Sequence, residues 1–310
     1  MYKYFIALLI LLIICLLKMR EYYNRMISTI FCNNNLYDYL IKFIQRVSKN
    51  NYYMNYGLWD KKHNTLLKAN KNLCNFIYSK AKLKNGKKVL DVGSGYGRQD
   101  FHWSKKTKNK LKIWAVDISA TQIENANRLK KKLNNTNIEF IKGDAHKLLE
   151  LENIGNQKFD RIISLESAFH YKDRDVFFNN VTKLLDKDGI FIISDIVFND
   201  EYIKNGSTIF SNIFLKFACD FLCFPVKNLI SKKEWCNQIE RKSLYLETPN
   251  LKIVELYDIT SMTFNPYYEY FFKIYIKSMN LPDLLSKTLY YIFFNIQPFS
   301  YNIAVCKREN

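Results

Sequence analysis

Glycine and proline are scarce in this chain of 310 residues, at nine and five, and acid is short against base. Asp and Glu number 29, Lys and Arg 47, and the formal net charge is +18. So little glycine and proline excludes collagen-like and linker-dominated designs. A hydrophobic content of 48% with 16% aromatics excludes disorder, leaving one large domain, alone or with appendages. The seven cysteines (Cys15, Cys32, Cys74, Cys219, Cys223, Cys236 and Cys306) are odd in number and form no CxxC pair. A disulfide framework or zinc site is therefore not expected, no metal is assigned, and a reducing compartment fits better. The charge has two readings, an electrostatic footprint for nucleic acid or anionic lipid and a codon bias. The 33 Asn favour the second, because selection for charge does not enrich Asn.

Long apolar runs are few. Tyr4 to Leu17 holds 14 apolar residues in a row, short of the about 20 that a full membrane span wants. Lys18, Met19, Arg20 and Glu21 follow it, a poor cleavage site for a signal peptide. An uncleaved anchor is the first expectation, a cleaved signal the second and a buried helix the third. Lys3, Lys18, Arg20 and Arg25 flank the run, and their bias puts the body of the protein in the cytosol, with the endoplasmic reticulum as the expected membrane. Arg20 to Lys49 reads as helical.

From Lys87 onward, short β-branched runs alternate with amphipathic segments. The pattern predicts strands at Lys88–Asp91, Ile113–Asp117, Ile138–Ile141, Arg161–Leu165 and Ile190–Ser194. Helices are predicted over Gln99–Lys106, Ala120–Leu133, Asp175–Leu185 and, as a short turn, Asp144–Leu151. Two late strands, Lys252–Thr260 and Ser300–Lys307, flank an aromatic helical stretch from Pro266 to Ile296. Alternation of this kind builds an α/β fold with a mostly parallel sheet covered on both faces.

Three of the nine glycines fall within five residues, in Asp91-Val92-Gly93-Ser94-Gly95-Tyr96-Gly97. The loop follows a predicted strand and precedes a predicted helix, where backbone N–H groups can approach a ligand. A dinucleotide fingerprint would put its third glycine at position 98, which is Arg98, so the ligand is expected to lack a pyrophosphate. An acid followed by GxGxG resembles the first motif of class I S-adenosylmethionine-dependent methyltransferases. The resemblance implies a Rossmann-like, seven-stranded, mostly parallel sheet. It implies that Gly93, Ser94, Gly95 and Gly97 wrap the methionine part of the cofactor and that Asp91 holds its ammonium group. Asp117, 26 residues on at a strand end, would accept the ribose hydroxyls, and Asp144 in Gly143-Asp144-Ala145 the adenine amino group. Ile118, Ala145 and Leu165, beside the strand ends, are also expected at the cofactor. Tyr56, in Asn55-Tyr56-Gly57-Leu58-Trp59, resembles an aromatic segment that closes over it, and Glu166 is expected to hold backbone groups nearby. The domain plan is an anchor at 1–19, a helical segment at 20–86 and a methyltransferase domain at 87–310, with lid insertions at 201–247 and 263–297.

Ser164-Leu165-Glu166-Ser167-Ala168-Phe169-His170-Tyr171 follows the fourth strand and contains no proline. That departs from the motif of enzymes acting on nucleobase amino groups. The stretch, with Gln99-Asp100-Phe101-His102-Trp103, is similar instead to O-methyltransferases of macrolide sugars. His170 is the candidate general base, because imidazole titrates near neutral pH, with a role only in shaping the pocket as the alternative. Some members of that group carry two adjacent His, and here the first position is Phe169. Asp195 is expected to orient His170 or bind the acceptor hydroxyl. The expected function is methyl transfer to a small, lipophilic acceptor, a hydroxyl first, with C- or N-methylation of a sterol, quinone or phospholipid behind it. RNA methylation and a non-catalytic membrane scaffold are the competing classes.

Overall fold

A computed structural model describes residues 48–49, 51–200, 225–241, 250–275 and 299–309. The chain divides into two compact units, Met1–Arg46 and Val47–Asn310, and every described residue lies in the second. The apolar run Tyr4–Leu17, the expected helix from Arg20 except for its last residues, and much of both insertions lie outside the described residues. Among the described residues, no helix is long and apolar enough to cross a membrane.

Seven strands form one sheet: β1 (Lys88–Val92), β2 (Lys112–Asp117), β3 (Ile138–Lys142), β4 (Phe159–Leu165), β5 (Leu185–Phe198), β6 (Leu251–Asp258) and β7 (Phe299–Arg308). Their order is β3-β2-β1-β4-β5-β7-β6. The first five run parallel, and β7 lies antiparallel to both β5 and β6. This is the seven-stranded, mostly parallel, Rossmann-like sheet that the resemblance implies. The helices are α1 (Leu66–Lys80), α2 (Arg98–Lys106), α3 (Ala120–Lys132), α4 (Arg174–Leu184), α5 (Lys232–Glu240) and α6 (Phe264–Tyr275). The turn predicted over Asp144–Leu151 is a 3₁₀ turn, Ala145–Glu150, capped by the Asp144 side chain.

Strand alternation sends successive side chains into two cores. Ile190, Ile192 and Ile196 of β5 join Leu73 and Ile77 of α1, Trp103 of α2 and Ala126 of α3 on one face. Phe191, Ile193 and Val197 join Phe177 and Val181 of α4 and Trp235 of α5 on the other. Tyr53 and α1 thus share a core with the sheet. Asn51 Nδ2 donates to Asn70 Oδ1 at 2.8 Å, and Asn70 Nδ2 donates to the Asn55 carbonyl, which ties residues 51–55 to α1.

The chain passes from β1 to β2 on one side of the sheet, while β4 lies on the other side of β1. A crevice opens outside the carboxyl ends of parallel strands where the order reverses in this way. The carboxyl ends of β1, β2, β3 and β4 carry the glycine loop, Asp117, Gly143-Asp144 and Glu166 respectively.

Candidate active site

The glycine loop turns tightly because Gly93, Gly95 and Gly97 all have positive φ, at +83°, +58° and +67°. The Gly93 and Ser94 N–H groups both donate to the Val116 carbonyl on β2 (2.8 and 3.0 Å). Space matters as much as angle. A Cβ on Gly93 would fall inside the van der Waals shell of Ser167, and one on Gly97 would strike the Phe140 ring. Beneath the loop, Ser167 Oγ and Tyr171 Oη both donate to the Val92 carbonyl (2.8 and 3.0 Å), and Ser167 Oγ lies 2.8 Å from Ser164 Oγ. The segment after β4 therefore props the loop after β1.

Asp117 is half-buried. Its Oδ2 accepts the Gly95 N–H at 2.9 Å and its Oδ1 the Ser119 N–H at 2.8 Å. Burial raises its carboxyl above the usual range, although both backbone hydrogen bonds pull it down. A carboxylate has about four lone-pair sites, so acceptor capacity remains for two hydroxyls. Ile118, the next residue, is 62% exposed, an apolar ledge beside that acid. Asp144 accepts both the His146 N–H (2.9 Å) and the ring Nδ1–H (2.6 Å). His146 Nε2 accepts the Asp173 N–H at 2.8 Å, so the ring proton sits on Nδ1. Burial pushes the Asp144 carboxyl up, but the His146 contacts outweigh it and hold it low. Ala145 is buried, and its carbonyl accepts Asn180 Nδ2 at 3.1 Å.

Glu166 stands in the left-handed region at φ +53°. Both its oxygens accept the Tyr56 N–H (2.9 and 3.0 Å), and Oε1 accepts Tyr301 Oη at 2.6 Å. Burial lifts its carboxyl to about 8, against the pull of these donors. The segment around Tyr56 is thereby pinned to the end of β4, and the Tyr56 ring packs edge-on against Phe264 and Tyr267 of α6. Leu165, in contrast, points into the core.

His170 is half-buried beside Phe169, ring centroids 4.2 Å apart. Asn228 Nδ2 donates to the carbonyls on either side of it, Phe169 O (3.0 Å) and Tyr171 O (2.7 Å), and so clamps its backbone. Asp195 does not serve it as expected. Asp195 is fully buried, with Oδ2 held by Arg174 Nη1 at 2.7 Å and Trp235 Nε1 at 2.9 Å. By alternation along β5 it faces the α4 and α5 side of the sheet, among Ile193 and Val197, whereas its neighbour Ser194 accepts the Glu166 N–H and the Tyr301 O–H on the other side. Its catalytic assignment is therefore corrected: Asp195 anchors Arg174, whose Nη2 reaches the Asn228 carbonyl at 2.9 Å. The clamp residues have no sequence motif. Arg174 leaves one trace, a cation in the first turn of a helix, where the macrodipole disfavours it and another partner must compensate.

The glycine loop also tests whether an amino-acid end fits. Three buried polar atoms there have no hydrogen-bond partner: the acceptor Asp91 Oδ1 and the groups Ser94 Oγ and Arg98 Nε. An ammonium would satisfy the first, and a carboxylate the other two.

A family model described as a methyltransferase domain matches residues 83–245, just over half of the chain. The chain belongs to that methyltransferase family. Its enzymes use S-adenosylmethionine, whose methionine end carries the ammonium and carboxylate that the orphaned atoms fit. The methyltransferase domain is 35% identical over 146 residues to erythromycin 3''-O-methyltransferase of Saccharopolyspora erythraea, covering 47% of this chain and 46% of that protein. It is 25% identical over 166 residues to (S)-coclaurine N-methyltransferase of Thalictrum flavum (53% and 44%). It is 27% identical over 132 residues to sterol 24-C-methyltransferase of Saccharomyces cerevisiae (42% and 33%). The matches span about half or less of the length of these relatives. The fold resembles geranyl diphosphate C-methyltransferase of Streptomyces coelicolor, with a TM-score of 0.64 at 15% identity over 88% of this chain and 98% of that one. It also resembles a cyclopropane synthase of Mycobacterium tuberculosis, with a TM-score of 0.64 at 15% identity (82% and 89%).

One substitution tests the close packing of the methyltransferase loop. Gly93→Ala is expected to weaken S-adenosylmethionine binding at least about tenfold, through strained φ and the clash with Ser167. Adding Ser167→Gly should restore part of that loss. Equilibrium titration of both variants checks it.

Proposed function

We propose that the chain transfers the methyl group of S-adenosylmethionine to a small, lipophilic acceptor, and to a hydroxyl oxygen in particular. The reading rests on one coincidence: the glycine loop, Asp117 and Asp144 stand at the ends of three adjacent strands, and an orphaned acceptor and two orphaned polar groups lie at the loop. S-adenosylmethionine supplies a sulfonium methyl, an electrophile that needs in-line approach and exclusion of water more than activation. Asp117 holds the ribose, Ile118 carries one face of the adenine, and Asp144, held by His146, receives the adenine amino group. The Glu166 latch on Tyr56 keeps the aromatic segment closed over the cofactor. His170 takes the acceptor's proton as oxygen bonds to the methyl carbon, and the C–S bond electrons return to sulfur.

The hydroxyl is favoured by the 35% identity to an O-methylating relative. N- and C-methylation stand second, because N- and C-methylating relatives match more weakly. Helix α6, the described start of the second aromatic insertion, packs on Tyr56 and so forms one wall of the acceptor's lid. The run Tyr4–Leu17 tethers the chain to the endoplasmic reticulum membrane with its catalytic domain in the cytosol, so that the acceptor is drawn from the bilayer.

The test is mass spectrometry of lipid, metabolite and RNA extracts incubated with the full chain and methyl-labelled S-adenosylmethionine. A labelled methyl ether supports the reading. Label only on nitrogen, on carbon or in RNA reassigns the acceptor, and no label in any fraction overturns it. His170→Ala should lower turnover about 10²- to 10⁴-fold, the range of one general base, with cofactor affinity unchanged.

A further inference from the structure

Asp91 and Asp100 form a fully buried pair of carboxyls. Asp91 is the last residue but one of β1, Asp100 lies in the first turn of α2, and both are 0% exposed. The two side chains lie within hydrogen-bonding reach of one another. Gln99 Nε2 donates to Asp91 Oδ2 at 2.9 Å. Neither oxygen of Asp100, nor Asp91 Oδ1, receives an N–H or O–H from any other described residue, and neither carboxyl has an ion-pair partner among them. The other titratable groups facing the pair bring no cation: Cys74 from α1, Asp117 from β2, and Tyr171 from the segment after β4, with Glu166 facing Cys74. Two adjacent carboxylates without a counter-charge cannot both ionise in such a place.

We propose that Asp100 is a positioning residue for the cofactor: the pair shares one proton, Asp100 donates it to Asp91, and Asp91 is left as the oriented acceptor for the cofactor's ammonium group. The inference rests on the proposed S-adenosylmethionine site. It adds a proton linkage to it. Burial lifts Asp91 to about 7 and Asp100 well above its usual range, so the second proton binds near neutrality rather than near pH 4. When that second proton binds, Asp91 ceases to be an anion and the ammonium loses its partner. Cofactor affinity therefore falls as pH drops below about 7. In Asp100→Asn, the amide N–H takes over the donor role of the shared proton, and the Asp91 carboxylate, still buried, keeps its place and its titration near neutrality; in Asp100→Ala that donor is lost and Asp91 holds its proton to higher pH.

The experiment is calorimetric titration of the full chain with S-adenosylhomocysteine between pH 6 and 8, repeated with 5'-methylthioadenosine, which keeps the nucleoside and lacks the amino-acid end. For the unsubstituted chain, S-adenosylhomocysteine should bind about tenfold more weakly at pH 6 than at pH 8, as one protonation near 7 requires. Methylthioadenosine should change clearly less, because it makes no contact with Asp91; whatever Asp117 and Glu166 contribute is common to both probes. Asp100→Asn should bind S-adenosylhomocysteine within about threefold of the unsubstituted chain at pH 8 and keep its pH dependence. Asp100→Ala should bind it about tenfold more weakly at pH 8. The Asn variant decides the matter even if the Ala variant does not fold. An equal pH dependence for both probes, Asp100→Asn binding more than about tenfold more weakly at pH 8, or Asp100→Ala binding as tightly there as the unsubstituted chain overturns the inference alone. No binding of S-adenosylhomocysteine by the unsubstituted chain at pH 8 overturns the cofactor site, and the inference with it.

Discussion

Alanine at Asp117 should weaken S-adenosylmethionine binding by about two orders of magnitude or more. The carboxylate already accepts two backbone N–H groups, Gly95 at 2.9 Å and Ser119 at 2.8 Å, which fix its rotamer and aim its remaining lone pairs outward. Two ribose hydroxyls would complete it. A hydrogen bond to a charged group contributes about 1.5–3 kcal/mol, so losing two gives about a hundredfold at the lower end. Removing the side chain also frees the Gly95 amide and loosens the glycine loop, which adds to the loss. Asn at the same position keeps one oxygen acceptor and should cost less, about tenfold. Calorimetric titration measures both, and a dissociation constant unchanged in Asp117→Ala would remove Asp117 from the site. Thermal unfolding serves as the control, because a half-buried residue at a strand end should shift it little.

The second large effect is on stability. Asp195→Ala leaves the Arg174 guanidinium fully buried without its carboxylate, 2.7 Å away in the native chain, and frees the Trp235 indole N–H. Breaking a buried pair from one side costs about 3–5 kcal/mol. In a domain of this size that lowers the melting temperature by about 10 °C. The loss should spread along Arg174 to the Asn228 clamp and so to the backbone around His170. Replacing both partners with apolar residues, Asp195→Leu with Arg174→Met, should recover part of the loss, since no charge is then stranded. A melting temperature unchanged in Asp195→Ala would contradict the pairing.

These two acids show where the sequence is legible and where it is not. Asp117 could be read because its setting is a motif: a strand end 26 residues past the acid of a glycine loop, with one amide partner, Ser119, two residues away and the other, Gly95, in that loop. Gly93, Gly95, Gly97 and Asp144 are of the same kind, as is the order of strands and helices, which hydrophobic period reports directly. Asp195 comes just after the predicted strand Ile190–Ser194 and lies on the longer observed β5, yet its role depends on which face of β5 it occupies and on Arg174 and Trp235, 21 and 40 residues away. Glu166 depends on Tyr56 and Tyr301, more than a hundred residues distant on either side. Such pairings follow from packing, and no spacing in the chain announces them. Asp100 reads as an ordinary acid in the first turn of a helix, where the macrodipole welcomes it. Only its burial against Asp91 separates it from that role.

Hydrogen–deuterium exchange of the full chain, with and without saturating S-adenosylmethionine, tests the cofactor seat most directly, because it reports where protection arises as well as whether binding occurs. Protection is predicted at the amides of residues 93–98, 117–119 and 144–146 together with the segment around Tyr56. No protection at saturating cofactor, or protection confined to segments away from the carboxyl ends of β1, β2 and β3, would contradict it.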